Sequence, residues 1–270
     1  MPIEQILVLA IIQGITEFLP ISSSGHLILV PIFTGWADQG LTTDVMVHMG
    51  SLLAIIVYFW RDVLDLCRGA LGLLKGRATS EGRLAVLIAV GTIPAVLFGL
   101  FLRKSGILDS IRGPEIVAWN AIIFGVFMLA ADQLGGMAKR MEEMTLTRAV
   151  AIGVAQALAL IPGTSRSGVT ITAARAFGFS RPEAARFSFL LGIPAMAGAG
   201  VLVLGEAAQS GEPLTGDAML TGALTFVCAL GAIAFLMAVV RRFSLLPFVI
   251  YRVVLGVVLL LLINAGLIFA

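Results

Sequence analysis

The sequence predicts an all-α polytopic membrane protein, one integral domain over 1–270, built as an inverted repeat of a re-entrant helical hairpin plus three transmembrane helices. Three observations carry this. The chain is 59% hydrophobic and 13% charged, about half the charge of an ordinary soluble domain at roughly 25%, and its mean hydropathy is +1.04. Six apolar stretches are long enough to cross a bilayer, which takes about 20 helical residues. Two polar knots interrupt shorter apolar pieces, and they resemble each other.

Residues 3–19 are apolar up to Pro20 and a serine run, after which only a short apolar stretch follows. Full spans are expected near 42–60, 84–102 and 115–134, with a polar loop from Arg61 to Arg83. Residues 149–161 make roughly 20 Å of helix before Pro162-Gly163. Three more spans are expected near 183–205, 218–240 and 247–268. The first of these opens with Ser180-Arg-Pro-Glu183 at capping-box spacing, and the Gly211-to-Gly216 stretch separates it from the next. A helix stopped by Pro, Gly and Ser at membrane depth needs its freed backbone groups satisfied by protein or a wet cavity. The two short pieces are therefore read as re-entrant hairpins.

The knots match at one offset of 143 residues: Gln13, Ser22, Ser24 and Gly25 recur as Gln156, Ser165, Ser167 and Gly168. Each knot precedes three spans, an odd number, so the second unit (about 141–270) inserts upside down relative to the first (about 1–140). With the 61–83 loop inside, thirteen Lys and Arg, Arg175 among them, face inward against Arg103, Lys104 and Arg112 outside. That satisfies the positive-inside rule and places both termini outside. The amino terminus lacks a basic n-region, so its first apolar segment is expected to remain in the mature chain.

Net charge is only +2 and the basic residues are scattered, which argues against nucleic-acid binding. Cys67 and Cys228 offer neither a disulfide framework nor metal spacing. Both read as structural, and the methionines as packing.

An ionisable group inside a membrane segment costs roughly 2.5–3.5 kcal/mol on insertion scales, so each is a functional candidate. In the second knot, Gly163, Thr164, Ser165, Ser167 and Thr170 surround Arg166. Hydroxyls, turn amides and a guanidinium fork suit phosphate, and a half-helix starting at Ser165 or Ser167 adds an anion site. In the first knot Gln13 and Glu17 share a helix face, and their oxygens suit Mg²⁺ or Ca²⁺ when a diphosphate completes the shell. Glu17 also suits a general base. Ser22, Ser23 and Ser24 precede His26, which lies three residues from Ser23, in reach as base for a hydroxyl nucleophile. Asp44 and His48 start the first full span and are candidates to line the same cavity, with the plainer reading as polar helix-entry residues preferred, and Arg252 reads as snorkelling to the inner interface.

Gln13-x3-Glu17, the Pro20-to-His26 stretch, and Pro162-Gly-Thr-Ser-Arg-Ser-Gly-Val-Thr170 resemble the motifs of undecaprenyl-diphosphate phosphatases of the bacitracin-resistance type. The resemblance runs over essentially the whole chain, including Gly50–Ala54, Phe187–Leu191 and Pro247–Arg252. It implies a bacterial inner-membrane enzyme that hydrolyses the terminal phosphate of a C55 polyprenyl diphosphate, regenerating the carrier used for peptidoglycan and conferring bacitracin resistance. It further implies a divalent cation and an outward-facing site. Carried over by position, Glu17 belongs to the acidic motif, Ser22, Ser23 and His26 to the first tip, and Ser165, Arg166 and Thr170 to the second. Many relatives have Glu where this chain has Gln13, which leaves Glu17 the only acid of the motif. Attack by Ser23 with His26 as base is preferred over attack by His26 itself. A lipid-carrier flippase working by alternating access is the alternative function, and a homodimer is left open.

Overall fold

Apolar length dictates the frame. The computed structural model describes residues 1–107, 111, 113–210 and 214–268, and among these the protein is α-helical, with one isolated bridge between Lys139 and Phe179. Arg112 and residues 211–213, expected on the outer side, lie outside the described residues.

In chain order the helices are α1 Ile3–Thr16, α2 Ser23–Thr34, α3 Leu41–Tyr58, α4 Trp60–Leu74, α5 Ser80–Ser105 and α6 Pro114–Leu134. After a single 3₁₀ turn, Met141–Glu143, come α7 Leu146–Leu158, α8 Arg166–Ala176, α9 Arg181–Ser210, α10 Gly216–Arg242 and α11 Leu246–Asn264. Six of them (α3, α5, α6, α9, α10 and α11) are long and apolar enough to cross a membrane, and they coincide with the six expected spans. Their outer faces carry large apolar side chains such as Leu97, Val126, Val227, Phe235 and Leu261. So much exposed apolar surface is unusual for a water-soluble monomer and fits a lipid-facing wall.

Helices α1, α2, α7 and α8 are too short to span. They form two hairpins, α1 with α2 and α7 with α8, and the turn of each is one of the knots. Packing is reciprocal between the halves: α1 runs along α10, α7 along α5, and α6 along α11. Small residues permit these contacts, as membrane helix pairs require. A Cβ on Gly153 of α7 would lie 2.0 Å from the Gly91 carbonyl oxygen of α5, so any larger residue there drives the helices apart.

The core centres on Phe18, Phe59, Phe187, Phe189, Leu190 and Leu191. Phe18 meets Phe189 edge-on at 5.5 Å between ring centroids, which docks the first knot onto α9.

Two expectations about charged segments need correction. The Arg61–Arg83 stretch is not a loop. Most of it is α4, which packs on α5 and carries Cys67 on its exposed side. Arg186 of α9 pairs with Asp62 of α4, fixing that helix. Arg175 is not exposed, as a cation on the inner surface would be. It is fully buried, donating to Asp132 Oδ1 at 3.1 Å and to the carbonyls of Gly136 and Phe179. Asp132 also accepts from Arg181 and from the Leu245 amide, so α6, α8, α9 and α11 meet at one carboxylate. Ser180 does precede α9, but Glu183 accepts from the Met141 amide, an element away.

Candidate active site

Each short hairpin breaks at a serine forced into positive φ, Ser22 at 79° and Ser165 at 72°. Left-handed backbone is unfavourable for a side chain with a Cβ, so surrounding contacts must hold it. Each serine then caps the following half-helix: Ser22 Oγ accepts from the Gly25 amide at 3.4 Å and Ser165 Oγ from the Gly168 amide at 3.1 Å. The hydroxyls of Ser22 and Ser24 lie 3.4 Å apart, those of Ser165 and Ser167 3.3 Å apart. Positions matched in sequence thus repeat the same local geometry.

The two tips touch. Ser167 Oγ donates to the Leu19 carbonyl at 3.1 Å. Arg166 Nη2 donates to Glu17 Oε1 at 3.0 Å, closing an ion pair between residues 149 apart in the chain. The other oxygen, Oε2, accepts from Ser23 Oγ at 2.5 Å and from Gln13 Nε2 at 3.1 Å. Acid, hydroxyl and guanidinium therefore converge, with Glu17 and Arg166 largely closed to solvent and Ser23 half-buried.

Beside them lies a cavity of about 370 Å³. Of the expected site residues, Glu17, Ser22, Ser23, Ser24, Ser165 and Arg166 line it. Leu41 and Val45 of α3 with Ala195, Met196 and Val203 of α9 give it apolar walls. Gln13, Thr164, Ser167 and Thr170 are buried behind that surface and support it. Thr170 Oγ1, for example, lies 2.6 Å from Ser188 Oγ and donates to the Arg166 carbonyl at 2.7 Å. Gly163 forms the tight turn at φ +85°, where a Cβ would meet the backbone of Val117 at 2.7 Å.

His26 is placed differently from the expectation. Its Nδ1 lies 2.6 Å from the Ser22 carbonyl and its Nε2 2.6 Å from Tyr251 Oη, with the two rings stacked at 5.7 Å. Both ring nitrogens are therefore engaged away from Ser23, whose hydroxyl goes to Glu17 instead. The imidazole that does line the cavity is His48. Its Nε2 is 4.0 Å from Glu17 Oε2 and its Nδ1 is 2.7 Å from the Asp44 carbonyl. Asp44 lines the cavity too. Both therefore take the alternative that the sequence offered as the weaker one, lining the cavity rather than serving only as helix-entry residues.

Arg252 also departs from the sequence reading. It does not snorkel but is fully buried, and its guanidinium donates to five carbonyls. These are Pro20 of the first tip (3.3 Å), Gly163 and Thr164 of the second (2.9 and 3.0 Å), and Asn120 and Ala121 of α6 (3.0 and 3.2 Å). Asn120 adds a bond from its amide to the Pro162 carbonyl at 2.8 Å. Nothing in the motif spacing points to α6 or α11 as the clamp on both tips.

Among the described residues no group of three or more His, Cys, Asp or Glu converges as a metal site. The donor set beside Glu17 is nonetheless suited to share a hard cation: Gln13 Oε1 is a buried oxygen without a partner among the described residues. One carboxylate already neutralised by Arg166 needs a ligand's own oxygens to complete such a shell.

Fold and site together define a class: a polytopic helical protein whose charged and hydroxyl groups meet in an apolar cavity between two helical hairpins. The chain belongs to the family described as bacitracin resistance protein BacA, which matches residues 6–258. Among its relatives are proteins named undecaprenyl-diphosphatase from Erythrobacter litoralis and from a Jannaschia species. They are 51% and 47% identical, over 95% and 96% of this chain and 98% of each relative. A third, of the same name from a Ruegeria species, is 46% identical over 96% of this chain and 98% of its own length.

Proposed function

We propose that this protein is an undecaprenyl-diphosphate phosphatase, removing the terminal phosphate of a C55 polyprenyl diphosphate to return the monophosphate carrier to envelope synthesis. The observation that carries the reading is Glu17, held between the Ser23 hydroxyl of one hairpin and the Arg166 guanidinium of the other. Family membership and the relatives' shared name support the substrate. Transport of the lipid carrier would need an anion site but no acid–hydroxyl pair, so hydrolysis is the better reading.

In the proposed reaction Ser23 Oγ attacks the terminal phosphorus, and Glu17 takes its proton. The bond between that phosphorus and the bridging oxygen breaks, and the prenyl monophosphate leaves with the electron pair. Water then hydrolyses the phosphoserine to inorganic phosphate, and Ser23 regains its proton from Glu17. Arg166 and the amides and hydroxyls of the second tip neutralise the transferred group, the largest task in phosphoryl transfer. Glu17 replaces His26 as the base because the 2.5 Å contact already exists. His26 is assigned the lesser role of holding Ser22 and Tyr251 together. Gln13 and Glu17 would hold a Mg²⁺ or Ca²⁺ that arrives with the diphosphate, adding charge neutralisation.

The halves about 1–140 and 141–270 are read as an inverted repeat with re-entrant hairpins. Support comes from the matched serine geometry and from the reciprocal packing of α1 on α10 and α7 on α5. The cavity reaches Leu41 and Asp44 at the start of α3 and Val203 near the end of α9. The charge bias assigns these helix ends to the outer side, so the site is proposed to face outward from a bacterial inner membrane, with both termini outside.

The test is phosphate release from purified protein given polyprenyl diphosphate with Mg²⁺ or Ca²⁺. Wild type is expected to release phosphate, and Arg166→Ala to lose about a hundred- to a thousandfold, the scale seen on removing one transition-state donor. An inactive wild type, or an unimpaired Arg166→Ala, sinks the reading.

A further inference from the structure

The repeat is asymmetric at one chemically telling place. Gln13 of α1 has Glu17 four residues on, one helical turn away on the same face, and donates to it at 3.1 Å. Its counterpart Gln156 of α7 has Leu160 at that position, which offers no acceptor. The amide of Gln156 has lost the partner that Gln13 keeps. The residue is nevertheless only 2% exposed, and neither Oε1 nor Nε2 has a hydrogen-bond partner among the described residues.

A buried amide with both ends unpaired is unfavourable and is rarely left without a reason. Its place supplies one. Gln156 lines the same cavity as Glu17, Ser23 and Arg166. Arg166, which lines that cavity too, carries a second buried donor, Nη1, that has no partner among the described residues. Two orphaned donors beside a hydroxyl–carboxylate pair form the pattern expected where an acceptor-rich anion binds.

We propose that Gln156 is a further substrate-binding residue, whose side-chain amide donates to an oxygen of the prenyl diphosphate. The free amide lies in the cavity wall and turns about its terminal torsions to meet the ligand. The inference rests on the phosphatase reading, since it takes the diphosphate from there. It adds a residue that the Gln13-x3-Glu17 pattern conceals, because in the second half that pattern has lost its acid.

The experiment compares wild type, Gln156→Leu and Gln156→Glu as full-length proteins. It measures steady-state hydrolysis of farnesyl diphosphate, affinity for its methylene-bridged diphosphonate analogue, and thermal unfolding without ligand. A hydrogen bond to a charged group corresponds to roughly a ten- to hundredfold effect. Gln156→Leu is therefore expected to raise KM and weaken the analogue by at least about tenfold, with kcat within about twofold, the mark of lost ground-state binding. Gln156→Glu, which sets a carboxylate against the diphosphate, weakens both further. The ligand-free Gln156→Leu protein should melt no lower than wild type, because an unpaired buried amide has been replaced by an apolar group of similar volume. A structural role would instead lower the melting temperature, and that result overturns the proposal. So does unchanged KM and analogue affinity in Gln156→Leu, the outcome if the amide merely holds a water. Wild type that releases no phosphate defeats the phosphatase reading itself. Active wild type with an indifferent Gln156→Leu defeats only this inference.

Discussion

Glu17 is the residue on which the proposed chemistry turns, because each of its oxygens already has a partner. Oε1 is tied to Arg166, while Oε2 takes the Ser23 hydroxyl and the Gln13 amide. A carboxylate so placed can accept the proton of an attacking hydroxyl without moving, and a general base contributes about 10²–10⁴-fold. Glu17→Gln and Ser23→Ala should each cut phosphate release by at least about a thousandfold, with the diphosphonate analogue still bound. His26→Ala should lose only about tenfold, since its ring is held by Ser22 and Tyr251. Assaying the three variants side by side decides the nucleophile. Near-normal activity in Ser23→Ala with none in His26→Ala would transfer the attack to the imidazole. The sequence made Glu17, Ser23 and Arg166 legible as neighbours, because charge in lipid is expensive and needs a reason. It set His26 beside Ser23, whereas the ring turns to Ser22 and Tyr251, because three residues of spacing at a helix start do not say which way an imidazole turns. It ranked His48 too low for a related cause: a polar residue near the mouth of a span has an innocent explanation at hand.

At the scale of helices, one glycine makes the site possible. Arg166 leans on α9 at Gly192, where a Cβ would fall 1.5 Å from Nη1. Gly192→Ala therefore has to push the guanidinium off its seat and away from Glu17. About a hundredfold loss of activity is expected. Thermal stability should shift only slightly, because Gly to Ala is favourable for the helix itself by about 1 kcal/mol. Full activity in Gly192→Ala would mean that Arg166 reaches its working position by another route. Arg252 shows the complementary limit on sequence reading. Its five carbonyl acceptors come from three segments far apart in the chain, so no local pattern announces them. The six spans were legible because apolar length alone identifies them. Helix α4 was not, because Arg61, Asp62, Asp65 and Arg68 break the apolar run in the manner of a loop, while Trp60, Leu64, Leu71 and Leu74 stay exposed on the helix. A helix with charged and apolar faces of this kind suits the membrane surface rather than its interior.

For the whole molecule, the polar contacts sort into two ends, and the sorting agrees with the charge bias. Arg83 donates to the Glu142 and Met144 carbonyls, Arg186 pairs with Asp62, and Asp132 gathers Arg175 and Arg181. These residues all belong to the segments expected inside. At the other end the amino terminus pairs with Asp217 at the start of α10. One face is therefore braced by arginine networks, and the hairpin of α7 and α8 starts from it. The other carries the amino terminus and, in the proposed orientation, the mouth of the cavity. The molecule has a built-in reporter of which face is which. Cys67 is exposed on α4 at the braced face, whereas Cys228 sits partly buried within the α10 span. A membrane-impermeant maleimide should leave Cys67 unmodified in intact spheroplasts and label it in inside-out vesicles, with Cys67→Ser as the control that removes the signal. Labelling of intact spheroplasts would reverse the orientation. The cavity would then open to the cytoplasm, and the enzyme would have to draw its diphosphate from the inner leaflet.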